Sequence, residues 1–115
     1  MKLNIFATTL LGIAMLGGCT SSDPKERAAD EIEANASAQA SGVKAAADQR
    51  AGVLETQATQ LSAEADKVGG YRGKMLNVRA DALRKESTII KEQAAAQADA
   101  IKTTGNAKAK AIRSQ

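Results

Sequence analysis

Cys19 is the residue whose chemistry the surrounding sequence defines most closely. It is the single cysteine among 115 residues, so no disulfide can form within the chain. The thiol follows Leu16-Gly17-Gly18, at the end of an uncharged apolar run over residues 5–16. Lys2 places a positive charge ahead of this run, which is too short to span a bilayer as a helix. Residues 1–18 are therefore predicted to be an export signal that ends next to the thiol.

The stretch Leu16-Gly17-Gly18-Cys19 resembles the cleavage motif of bacterial lipoproteins, in which a Leu and two small residues precede the Cys. Gly17 is a mild departure from the more usual Ala or Ser. The resemblance implies lipid transfer to the Cys19 thiol, cleavage between Gly18 and Cys19, and acylation of the new amino terminus, for example by palmitate. Each buried acyl methylene contributes about 0.8 kcal/mol, and more than one chain makes attachment stable. The alternative is an ordinary signal peptide with a cysteine at its cleavage site.

The position after the cysteine bears on localisation. By analogy with the same family, Thr20 in place of an Asp implies delivery to the outer membrane, with the chain facing the periplasm. Membrane lipid, held covalently through Cys19, is thus the first expected partner.

Residue types that carry catalysis or bind metals are scarce in this sequence. The chain has no His, and beyond Cys19 it has no thiol, so the usual general base and nucleophile are missing. Asp30, Glu31 and Glu33 could suggest a cation site, but they are more simply the charged face of a first helical turn. The lack of stacking aromatics disfavours nucleic-acid binding. We expect no enzyme, no metal, no cofactor and no small-molecule substrate.

The 97 residues from Cys19 onward are poorly suited to a globular core. They include 23 Ala but only 14 larger aliphatic residues, and Tyr71 is their one aromatic residue. Burial of those 14 at about 2 kcal/mol each cannot offset an ordering cost near 1.5 kcal/mol per residue. Long helices are favoured instead, because Ala, Gln, Glu, Lys and Arg have high helix propensity. The sequence therefore predicts an all-α protein.

Two helices are predicted, at 23–68 and 74–113, joined by a Gly-rich turn at 69–73 and preceded by a lipidated tether at 19–22. Asp23 suits the N-cap of the first helix, with Pro24 at N1 and Glu26 at N3. Gly69 is expected in the left-handed conformation that ends many helices. Each helix carries one apolar stripe with steps of three and four residues, apart from one step of seven between Leu83 and Ile90. The stripes are Ile32, Ala36, Ala40, Val43, Ala47, Ala51, Leu54, Ala58, Leu61, Ala65 and Val68, then Leu76, Ala80, Leu83, Ile90, Ala94, Ala98, Ile101, Gly105, Ala109 and Ile112.

The two stripes are spaced as mirror images about Arg72. The mirrored pairs are Ile32 with Ile112, Val43 with Ile101, Leu54 with Ile90, Leu61 with Leu83, and Val68 with Leu76. The eleven-residue spacing within them favours straight helix packing. Residues 20–68 carry five basic and nine acidic side chains, whereas residues 69–115 carry ten and four, which favours an antiparallel alignment. We predict a helical hairpin, and one continuous helix of about 135 Å is the alternative.

The function expected from these features is a structural or adaptor role in the cell envelope. The helical part loosely resembles murein-lipoprotein-type envelope proteins, although Arg113-Ser114-Gln115 lacks the terminal Lys that they use for covalent attachment. We expect the chain to associate with itself through the Ala/Ile stripe, or with another envelope helix. The alternative is a membrane-active lipoprotein of the stress or lysis type, which places the basic second helix on the bilayer. Tyr71 is expected to pack over Val68 or Met75.

Overall fold

The computed structural model describes residues 23–115, which form two long helices. Helix α1 spans Pro24–Val68 and helix α2 spans Gly70–Arg113. They pack antiparallel, since Arg113 at the end of α2 contacts Glu26 in the first turn of α1. The longest dimension is 70 Å, as expected for 45 residues at 1.5 Å each. The predicted hairpin is confirmed, and the alternative of one continuous helix is wrong.

Helix α1 begins where the sequence predicts. Asp23 has an extended backbone, and its carboxylate accepts a hydrogen bond of 2.9 Å from the backbone N–H of Lys25. Pro24 occupies the first helical position, where the missing N–H costs no helical hydrogen bond. Glu26 lies in the first turn, at the positive end of the helix dipole. These local signals explain why the helix starts at Pro24.

The turn is shorter than predicted. Gly69 alone separates the helices, so α2 begins at Gly70 rather than at residue 74. Gly69 has φ 64° and ψ −171°, a region open essentially to glycine alone, and not the left-handed helical conformation that we expected. Gly70 also has a positive φ, of 58°. Because two successive glycines accept positive φ without a Cβ clash, the chain reverses in a single step and no five-residue loop is needed.

Small residues form the centre of the interface between the helices. The buried residues are Ala29, Ala36, Ala40, Ala47, Ala51, Ala58 and Ala65 in α1, and Gly73, Ala80, Ser87, Ala94, Ala98, Gly105 and Ala109 in α2. Ala29, Ala40 and Ala51 repeat at the same eleven-residue spacing as Ile32, Val43 and Leu54. The larger aliphatic residues of the stripes lie half-buried along its flanks. Leu54 and Ile90 line one groove, but Val68, predicted to face Leu76, is 44% exposed.

Two glycines of α2 allow the helices to approach closely. A Cβ added to Gly73 would lie 2.7 Å from the carbonyl oxygen of Ala65, and one added to Gly105 would overlap the Cβ of Ala36. Gly42 and Gly52 differ, because a Cβ there would meet nothing within 4 Å. Glycine is therefore a packing requirement at two sites of α2, but not at these two sites of α1.

Candidate functional site

The site predicted from the sequence, Gly18 and Cys19, lies outside the described residues. Lipidation and cleavage there stay predictions, as do the signal at 1–18 and the tether at 19–22. The chain enters α1 at Asp23, four residues after Cys19. Chain length alone keeps Cys19 within about 14 Å of this end of the hairpin. We call this end, where α1 begins and α2 finishes, the open end.

Arg113 joins α2 to α1 at the open end by binding three carboxylates of α1. Its Nε, Nη2 and Nη1 atoms lie 3.0, 2.7 and 2.6 Å from Glu26, Asp30 and Glu33, respectively. These carboxylates share one face of α1 because they are spaced by four and three residues. The hydrogen bond from Arg113 lowers the pKa of Glu33, and the three carboxylates raise the pKa of Arg113. The acidic start of α1 and the basic end of α2 therefore meet through Arg113, in the antiparallel alignment that the charge balance favoured.

A polar node joins the helices near their middle. Ser87 is 1% exposed, and its hydroxyl donates a hydrogen bond of 2.8 Å to Oε1 of Glu55. Lys91 Nζ lies 2.7 Å from the same oxygen. The hydrogen bond from Lys91 lowers the pKa of Glu55 most, and the hydrogen bond from Ser87 lowers it further. Glu55 in turn raises the pKa of Lys91. Ser87 therefore fills a small-residue position without leaving a buried hydroxyl unsatisfied.

This node was not predicted from the sequence, because the predicted stripe contained only apolar residues and Gly105. A usable signal existed, since Ser87 lies seven residues from both Ala80 and Ala94, which are buried members of that stripe. The small size of serine suits such a position, and its hydroxyl needs only one partner across the interface. Glu55 supplies that partner from α1.

The opposite end of the hairpin, which we call the tip, carries a cluster of exposed apolar side chains. Tyr71 is 80% exposed, so Val68 and Met75, over which it was expected to pack, cover little of its side chain. Val68, Met75 and Val78 are exposed beside it. The spacing of residues 71, 75 and 78 places them on one face of α2. We call these four residues the tip patch.

Among residues 23–115, no group of three His, Cys, Asp or Glu side chains is placed to hold a metal ion. Neither α1 nor α2 contains an apolar stretch long enough to cross a membrane. No protein-family model, characterised protein or solved structure that was compared with the chain matches it.

Proposed function

We propose that the chain is a lipid-anchored, non-enzymatic helical hairpin with a structural or adaptor role in the bacterial cell envelope, on the periplasmic face of the outer membrane. The observation that carries this proposal is the placement of the hairpin directly after the Leu16-to-Cys19 motif. Asp23 starts α1 only four residues beyond the thiol. The rest of the described chain is then a rod whose surface is exposed along about 70 Å.

The geometry suits a spacer between an attachment point and a contact surface. A lipid on Cys19 would hold the open end, and Arg113 holds the end of α2 at the same place. The turn at Gly69 is then the part of the hairpin farthest from the lipid. This arrangement presents the tip to a partner at a fixed distance of roughly 65 Å.

The alternative function requires α2 to act at a bilayer on its own. Its basic C-terminal end is the part that would meet lipid, yet Arg113 binds three carboxylates of α1. Release of α2 would break these contacts, and also those that Glu55 makes with Ser87 and Lys91. These contacts favour the intact hairpin over a free second helix.

Self-association also needs a different surface from the one expected. The alanines of the Ala/Ile stripe are already buried between α1 and α2, so a second copy would have to use the outward faces of the helices. We propose such a homo-oligomer, or a complex with another envelope helix, as the adaptor state. Light scattering on the purified, detergent-solubilised chain tests the homo-oligomer, and a strictly monomeric mass would exclude it.

Replacement of Cys19 by serine tests the anchor. Cells that express the full chain are fed an alkyne analogue of palmitate and separated into membrane and soluble periplasmic fractions. The unaltered chain should be labelled and stay on membranes washed with 0.5 M NaCl, whereas Cys19→Ser should lose the label and be released into the soluble fraction by the wash. Ser22→Ala, which leaves the motif intact, is the matched control. An unlabelled wild-type chain, or a Cys19→Ser chain that keeps the label, would contradict the proposal.

A further inference from the structure

The tip combines exposed apolar surface with unpaired positive charge. Val68, Tyr71, Met75 and Val78 are four of the six large apolar side chains that are exposed in residues 23–115. Four basic residues surround them and are exposed as well: Lys67, Arg72, Lys74 and Arg79. None of these four forms an ion pair with another residue of the described chain. No acidic residue occurs between Lys67 and Arg79.

The geometry of α2 separates these two features into an apolar centre and cationic margins. Gly73 and Ala80 face α1, so Tyr71, Met75 and Val78 lie on the outward side of the helix. At about 100° per residue, Lys74 lies to one side of this apolar face and Arg72 and Arg79 lie to the other. Basic side chains on both margins of an apolar helical face are typical of segments that lie at a membrane surface.

Arg113 is paired with carboxylates at the open end of the hairpin, whereas the four basic residues of the tip are not paired within the described chain. At the open end, three carboxylates surround the single guanidinium of Arg113. At the tip, the nearest carboxylates along the chain are Asp66 and Asp81, and Asp81 is bound to Arg84 at 2.9 Å. The cations of the tip are therefore available to an external anion.

We propose that the tip patch docks on a bilayer surface that contains anionic phospholipids. Lys67, Arg72, Lys74 and Arg79 contact the phosphate groups, while Met75 and Val78 enter the boundary between headgroups and acyl chains. Tyr71 suits the same boundary, because its ring is apolar and its hydroxyl is polar. Each basic residue near an anionic surface strengthens binding about fivefold. The docking leaves α1 and α2 paired, so it differs from the release of a membrane-active helix, and it does not depend on lipidation of Cys19.

The shape of the patch favours lipid over a protein partner. The apolar centre consists of a few side chains on one convex helix, whereas a protein hot spot normally fills a pocket of its partner. Cations lie on both margins of that helix, and a bilayer with mobile anionic lipids can neutralise both margins at once. A protein would need two acidic ridges around an apolar groove. A single bilayer surface therefore matches the charge and the apolar centre together.

A tryptophan at position 71 reports on the tip directly, because the chain contains no other tryptophan. The full chain with Tyr71→Trp is mixed with vesicles of phosphatidylcholine whose acyl chains are brominated, with or without 30% phosphatidylglycerol. Vesicles are floated on a density gradient, and tryptophan emission is recorded on the floated protein. Flotation measures attachment by any part of the chain, whereas bromine quenching measures contact of the tip with the bilayer.

The expected result is quenching and a blue shift of emission on anionic vesicles, weak or absent on neutral ones, and reversed by 0.5 M NaCl. Adding Lys74→Gln and Arg79→Gln should weaken tip binding about thirtyfold. Lys108→Gln with Lys110→Gln removes the same charge from the other end of α2 and should leave quenching unchanged. The proposal is overturned by a chain that does not float on anionic vesicles, or that floats without quenching. Equal quenching on anionic and neutral vesicles would overturn it as well, and so would an equal loss of quenching in the two double variants.

Discussion

The same substitution, glycine to alanine, should have opposite effects at Gly52 and Gly105. At an exposed helical position, alanine is favoured over glycine by about 1 kcal/mol, because glycine has more backbone freedom to lose. A Cβ at Gly52 meets nothing within 4 Å, so Gly52→Ala should raise the free energy of unfolding by about 1 kcal/mol. A Cβ at Gly105 overlaps the Cβ of Ala36 across the interface. Overpacking of this kind costs about 1–3 kcal/mol, and the higher helix propensity of alanine offsets about 1 kcal/mol of this cost. Gly105→Ala should therefore lower the free energy of unfolding by about 1 kcal/mol.

Urea unfolding followed by circular dichroism at 222 nm measures this contrast, with both variants made in the full chain carrying Cys19→Ser. For a chain of this size, 1 kcal/mol also corresponds to a Tm shift of about 4–8 °C, so a thermal melt gives a second reading. Gly42→Ala serves as a further exposed control and should behave like Gly52→Ala. If Gly105→Ala is as stabilising as Gly52→Ala, then the close contact between the helices is not formed in solution, and the packing argument fails.

Three other perturbations test the polar contacts of the hairpin. Arg113→Gln should speed amide hydrogen exchange in the last turns of α2 and the first turn of α1, because it removes a guanidinium that holds three carboxylates. The pKa values of Glu33 and Glu55 lie below the ordinary 4.5, so their contacts stabilise the fold above this pH and are lost as the pH falls through the lowered values. The Tm should therefore drop below about pH 4.5. Ser87→Leu should lower the free energy of unfolding by about 1–3 kcal/mol, since the position is enclosed.

Each of these perturbations has a control that separates its cause from a general loss of structure. Amide hydrogen exchange at the tip should be unchanged in Arg113→Gln. The control variant Lys110→Gln should leave amide hydrogen exchange at the open end unchanged. Glu55→Gln should show a shallower acid transition than the unaltered chain, because one of the two shifted groups has been removed. Ser87→Ala should cost far less than Ser87→Leu. An acid transition that Glu55→Gln leaves unaltered would contradict the assigned role of the Glu55 contacts.

The positions of all the buried alanines except Ala29 could be predicted from the sequence, because helical periodicity fixes which residues share a face. All six alanines of the first stripe are buried, and so are Ala80, Ala94, Ala98 and Ala109 of the second. The relative burial of large and small residues could not be predicted in the same way. Periodicity treats Ile32 and Ala36 alike, whereas close contact of two helices places the small residue at the centre and the large one at the flank.

The turn and the tip patch were harder to predict for a different reason. Five residues with three glycines are compatible with a loop, and only backbone geometry shows that Gly69 and Gly70 suffice. Once α2 starts at Gly70, Tyr71 belongs to a helix and not to a loop, and its side chain takes the outward face that Met75 and Val78 share. Because α2 was predicted to start at residue 74 and not at Gly70, Tyr71 was assigned to the turn, and its exposure on the outward face of α2 was not predicted.

An alanine interface does not specify a unique register by itself. Ala29, Ala40 and Ala51 repeat every eleven residues, so a slide of α2 by eleven residues would again oppose small residues. Such a slide is a displacement of about 16 Å, and the single connecting residue, Gly69, cannot span it. It would also remove Arg113 from its carboxylates. The turn and the charged contacts therefore fix a register that the alanines leave open, and a fixed register fixes the distance from the open end to the tip. A spacer requires that distance to be constant, so the proposed function depends on the turn at Gly69 and on the contacts of Arg113.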